Sequence, residues 1–96
     1  MKNINWFKSV IAPNLNEYEI KYKFFDKGDF GSLNQVEFNS TEKGGEIDFW
    51  NTGWLGIHLV DYVKGQELLN VFIEPEKKEE QEKALEKLQF LLNYKS

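Results

Sequence analysis

Apolar residues near the start of the chain recur at helical spacing: Trp6, Phe7, Val10 and Ile11 stand at i, i+1, i+4 and i+5. Asn3 or Asn5 offers a side-chain oxygen to cap the first free amides. Pro13 is expected to stop the helix and to bias Ala12 toward extended backbone. The pattern predicts a short helix of about two to three turns.

From Glu17 the period changes to two. Tyr18, Ile20, Tyr22 and Phe24 fall on one side, and Glu17, Glu19, Lys21 and Lys23 on the other, which predicts a half-buried strand over Glu17 to Phe25 with a solvated outer face. After the loop Asp26 to Ser32, a second strand is expected over Leu33 to Ser40, with Val36 and Phe38 on one face. Thr41 to Gly45 reads as a turn, and Glu46 to Asn51 as the third strand. Asn51-Thr52-Gly53 supplies the next reversal, since glycine accepts the positive φ of a tight turn. Trp54 to Val63 returns as the fourth strand, and Lys64-Gly65-Gln66 turns it into a fifth over Glu67 to Ile73. Few polar positions remain on this last strand, so an interior place in the sheet is expected.

At Glu74-Pro75 the period becomes helical again. Proline suits a first helical turn, and Glu76, Glu79 and Glu80 suit its positive end. Ala84, Leu85, Leu88, Leu91 and Leu92 form an apolar stripe. A helix of about five turns over Pro75 to Tyr94 is expected to lie across one sheet face, with Leu85, Leu88, Leu91 and Leu92 against Ile20, Tyr22, Val36, Phe49, Ile57, Leu59 and Val71. The expected fold is α+β: about five mostly antiparallel strands in a meander, a short N-terminal helix, and a long C-terminal helix packed on one face.

Length changes this picture little: 96 residues suit one domain, 1–96, without a second core. Hydrophobic residues at 41% and charged residues at 29% exclude a disordered chain. Aromatic residues at 16% supply large buried area without disulfides or metals. There is no cysteine, which removes thiolate chemistry and cysteine zinc sites and fits a reducing compartment. Asn5, Lys8 and Ser9 interrupt the only apolar stretch near the start, so no signal peptide is expected. No run reaches the roughly 20 apolar residues of a membrane span. A soluble, cytoplasmic protein with no membrane partner is the expectation.

Net charge is −4, and its distribution matters more than its size. Between Leu33 and Ile73, Lys43 and Lys64 face six acids, whereas the flanking segments are close to balanced. The predicted hairpins therefore carry the whole excess. Such a sheet repels phosphates, which disfavours direct nucleic-acid binding and favours a basic protein partner. The plainer reading is that this charge keeps a small domain soluble.

Candidate chemistry is sparse. His58 is the only histidine, and Asp61, three residues on, points to the other face of a strand. Asp48, on the neighbouring strand, could approach His58, but nothing in the sequence demonstrates it. A strand histidine bonded to a neighbour or contacting a partner explains His58 better than a general base or metal ligand. The four serines sit in no nucleophile elbow. Asp26 to Glu37 has calcium-loop spacing at Asp26, Gly31 and Glu37, but Gly28 and Phe30 offer no side-chain oxygen at the third and fifth positions. No metal and no cofactor is expected. Trp50, Trp54, Tyr62 and Phe72 suggest a base-stacking platform, yet the basic groove that accompanies one is missing. Core packing suits most of these rings, with Trp54 at a turn edge as a binding anchor.

The stretch Ile47-Asp-Phe-Trp-Asn-Thr-Gly-Trp-Leu-Gly-Ile-His-Leu-Val-Asp-Tyr62, then Glu67-Leu-Leu-Asn-Val-Phe-Ile-Glu-Pro75 and a Glu/Lys/Leu helix, resembles small bacterial immunity proteins encoded beside polymorphic or contact-dependent growth-inhibition toxins. The resemblance covers roughly residues 45 to 92. It implies a cytoplasmic protein with no activity of its own that binds and blocks the toxin domain of a sibling cell. Many such toxins are nucleases, so it also implies an acidic face that occupies a basic active-site cleft. Modes of inhibition differ widely in this family, and no residue list carries over from it. Glu46, Asp48, Trp54, His58 and Asp61 are the expected partner-binding residues. The rival expectation is a small ligand-binding protein or enzyme that uses the Trp/His hairpin as a pocket.

Overall fold

A computed structural model describes residues 2–93. Five strands follow one another as β1 (Glu19–Phe25), β2 (Leu33–Asn39), β3 (Lys43–Trp50), β4 (Leu55–Asp61) and β5 (Gln66–Ile73). Each pairs with the next, all antiparallel, so spatial order equals chain order. The N-terminal segment runs through α1 (Ile4–Trp6), a π-helical turn (Phe7–Ile11) and a 3₁₀ turn (Ala12–Asn14). The C-terminal helix, α2, spans Lys78–Asn93. This is the α+β meander that the alternation of periods implied.

Both helical segments lie on the same side of the sheet. Phe7, Ile11 and Leu15 cover its β1–β2 half, with the Phe7 ring 6.3 Å from Tyr22 and 6.4 Å from Phe38. Ala84, Leu85, Leu88 and Leu92 of α2 cover the β4–β5 half. Between them lie Val36, Phe38, Ile47, Phe49, Leu55, Ile57, Leu59, Leu69 and Ile73, all buried. Gln81 pins the start of α2, its amide nitrogen lying 2.9 Å from the Gly53 carbonyl, 3.1 Å from that of Glu74 and 3.3 Å from that of Ile73. Lys43 Nζ donates to the Leu91 carbonyl near the other end, at 2.7 Å.

The turn chemistry is as the sequence suggests at two hairpins. Gly53 takes φ of 98°, and its amide donates to the Trp50 carbonyl at 3.0 Å. Gly65 takes φ of 64°, while the Asp61 carboxylate accepts from the amides of Val63 and Lys64.

Other expectations need correction. Ala12 is helical (φ −54°, ψ −39°), because the chain tightens into a 3₁₀ turn that includes Pro13 instead of breaking before it. Of the two candidate caps, Asn3 is the one used, as one of the alternatives had it, accepting from the amides of Asn5 and Trp6. Val10 turns to solvent. Gly44 and Gly45 belong to β3; the turn is confined to Ser40–Lys43, where the Ser40 amide and hydroxyl both donate to the Lys43 carbonyl. Glu74–Lys77 forms a turn, so Pro75 precedes α2 rather than opening it. The expected helix end at Tyr94 lies outside the described residues. β1 is an edge strand with Tyr22 and Phe24 largely exposed, since the N-terminal segment reaches only its first half. β5 is the other edge, because an unbroken meander leaves its last strand outermost whatever that strand's composition. Leu91 and Val71 are only partly buried.

Candidate functional site

The sheet face turned away from both helices has no covering layer among the described residues. Register fixes what it displays. One row across it reads Lys21, Glu37, Glu46, His58 and Asn70; the next reads Lys23, Gln35, Asp48, Gly56 and Phe72; a third reads Phe25, Leu33 and Trp50. Period two along β3 accordingly brings Glu46 and Asp48 to the middle of the face, with Trp50 at one end. At the other end the Tyr62 ring lies over Gly44, its hydroxyl donating to Asn39 Oδ1 at 2.5 Å.

An aromatic cluster forms around Phe72. Its ring is 4.7 Å from Trp54 in a nearly parallel stack, 5.3 Å from Trp50 and 5.3 Å from Phe30. Phe30 in turn lies 4.9 Å from Trp54. The loop holding Phe30 is tied to the β3–β4 turn: Thr52 Oγ1 donates to the Phe30 carbonyl at 2.5 Å and the Ser32 amide to Asn51 Oδ1 at 3.1 Å. Phe72 remains 51% exposed and the two tryptophans half-buried, so the cluster is a surface feature attached to the sheet.

The acids beside it are differently placed. Lys23 pairs with Glu37 at 2.8 Å. Gln35 Nε2 donates to Asp48 Oδ1 at 2.8 Å. His58 Nε2 lies 2.9 Å from Glu67 Oε2, with Asn70 Nδ2 donating weakly to the same oxygen at 3.5 Å. The Glu46 carboxylate forms no hydrogen bond or ion pair with a described residue, although its backbone belongs to the β3 ladder. Burial pushes its carboxyl above the ordinary glutamate range, and the charges of Asp48 and Glu37 push it further, against smaller opposing effects of His58 and Lys23. Burial also raises Asp48, with the Gln35 hydrogen bond working the other way.

Of the five residues expected at a partner surface, Glu46, Asp48 and His58 come together on this face, and Trp54 flanks it through the ring cluster. Asp61 does not join them. It lies opposite Lys43 on the helix-covered side and serves the β4–β5 turn. The neighbour facing His58 across β3 is Glu46 rather than Asp48, and the bonded one is Glu67. Tyr62 is separated from the other aromatic residues by the acid pair.

Sequence reasoning missed Phe30, Gly56 and Glu67. The period-two position of Gly56, between Trp54 and His58, was the available signal for a gap on the face. No local signal marks Phe30, which arrives through loop geometry. Among the described residues no group of three or more acids and histidine is placed to hold a metal ion, and no helix is long and apolar enough to cross a membrane. No protein-family model, no curated protein sequence and no solved structure matches the chain.

Proposed function

We propose that the chain is a toxin-neutralising immunity protein that binds a basic toxin domain, of nuclease type, through the open face of its sheet and has no catalytic role. One observation carries this reading: half-buried carboxylates, Glu46 without a bonded partner, stand between an exposed ring cluster and Tyr62 on an uncovered sheet. Aromatic rings of this kind supply binding energy at interface centres. The acids supply orientation and a fast approach to a positive surface. The same charge opposes nucleic acid as a direct ligand. The resemblance of residues 45 to 92 to immunity proteins supports this reading, under which the protein would act in the cytoplasm of the producing cell.

The test is protection. A toxin gene should stand beside this one; cells expressing its toxin domain should survive when the chain is co-expressed, and the purified pair should associate at a rate that falls with added salt. Charge reversal at Glu46 or Asp48 should slow that association, with dissociation changing less. Absence of both protection and binding removes the immunity reading. Association indifferent to salt and to these reversals removes the acidic-face mechanism alone. A second reading, a small-ligand pocket, is favoured by an open concavity of about 370 Å³ over Gly56. A saturable small molecule recovered from the purified protein, with no toxin binding, would support it.

A further inference from the structure

We infer that the concavity over Gly56 is the receptor for one arginine side chain of the protein partner. The identity of that partner rests on the function proposed above, but the chemistry of the receptor does not.

Gly56 is the floor. In its row, Asp48 lies on one side and Phe72 on the other, and the missing side chain between them leaves the depression. Glu46 and Asp48 form one wall; Glu67 and Asn70 form the opposite rim; the exposed Phe72 ring closes one end. Three carboxylates therefore line a space where, among the described residues, the one basic side chain is His58, already engaged with Glu67. Of the two lysines at the β1 end of the acid rows, Lys23 is held by Glu37 and Lys21 pairs with Glu19.

A guanidinium suits these walls better than other cations. It is planar and presents paired donors to carboxylates, and it stacks on an aromatic face. It is also more weakly hydrated than an ammonium, so less is lost on entering a half-buried site. Both acids are held above their ordinary range in the free protein, chiefly by burial. A cation against this wall offsets that penalty and the repulsion between the two acids, which gives the partner charge a differential advantage over water. Arginines are the usual phosphate-contacting residues of nucleic-acid-binding surfaces. An inhibitor that captures one of them blocks the substrate position directly.

The receptor can be tested without any toxin. N-acetyl-arginine amide, N-acetyl-lysine amide and the neutral isostere N-acetyl-citrulline amide are titrated into the folded chain, following the Gly56 amide and the Trp50 indole N–H by NMR. Arginine should give a saturable shift at both, lysine a weaker one, and citrulline none. Asp48→Asn and Gly56→Ala should each weaken arginine binding by roughly fivefold or more. A Cβ at Gly56 would approach Asp48 and Trp50 atoms no closer than 3.4 Å, so this variant fills the floor without breaking the sheet, and its spectrum reports folding directly. Citrulline shifting as arginine does overturns the inference. So do lysine binding as tightly as arginine and arginine binding unchanged by Gly56→Ala. Toxin neutralisation that persists without arginine binding leaves the proposed function standing and removes the receptor; arginine binding without neutralisation does the reverse.

Discussion

Trp54→Ala distinguishes a ring mounted on the surface from one that closes the core. Truncating a fully buried tryptophan costs about 3–5 kcal/mol. Trp54 is half-buried, and its packing comes from the Phe72 stack at 4.7 Å and the Phe30 contact at 4.9 Å. Scaling the transfer contribution by exposure and adding these ring pairs gives about 2–3 kcal/mol. A 96-residue chain unfolds with an entropy near 0.2 kcal/mol per kelvin, so the melting temperature should fall by about 10–15 °C. Far-UV circular dichroism is the appropriate assay, because the substitution removes a fluorophore. Trp54→Phe should recover much of the loss by keeping the stack. A fall below about 2 °C would refute the packing of the ring cluster, and a loss above about 4 kcal/mol would assign Trp54 to the main core. If the ring also anchors the partner, toxin affinity measured well below the melting range should drop for Trp54→Ala while Trp54→Phe stays close to the parent.

Leu88 is 0% exposed under the sheet, and Leu88→Ala should cost about 2–5 kcal/mol in urea unfolding; a change below about half a kcal/mol would contradict the α2 packing. Asp48 ionises less readily folded than unfolded, so its burden on stability is absent below the ordinary aspartate value of 3.8 and fully present above its raised folded value. Asp48→Asn should therefore raise the melting temperature at neutral pH, with the gain fading on acidification, while slowing partner association; a gain independent of pH would point to some other cause. Gly45→Ala places a Cβ 1.9 Å from the His58 carbonyl oxygen and should destabilise by about 2 kcal/mol or more, in contrast to the tolerated Gly56→Ala, as a pair of thermal melts will show.

The candidate site was partly legible beforehand. That Glu46 and Asp48 share a face, and that Asp61 opposes His58, follows from the two-residue period of a strand, which is a property of the local chain. What faces His58 is a property of register, which no single strand encodes: the pairing sets Glu46 across from it, and a shift in the β4–β5 ladder at Leu59/Val60 brings Glu67 to its ring. The carboxyl shifts are likewise collective, since burial beside neighbouring strands produces them.

The sequence by itself determined the succession of elements, because hydrophobic period, turn residues and capping act over a few positions. The alternation from Tyr18 to Phe24, the reversals at Gly53 and Gly65, and the Leu85, Leu88 and Leu92 stripe are all of this kind. Only the tertiary structure decided the places where distant segments compete for the same space. Gly44 and Gly45 look like a turn but are strand, one covered by the Tyr62 ring and the other pressed by the His58 backbone, contacts that no local pattern announces. β5 is apolar enough for an interior strand and yet lies at the edge, where Phe72 finds its cover in rings from the β3–β4 turn and a distant loop. Local patterns state which surfaces must be covered; the meeting of non-neighbouring segments decides what covers them and which face is left open.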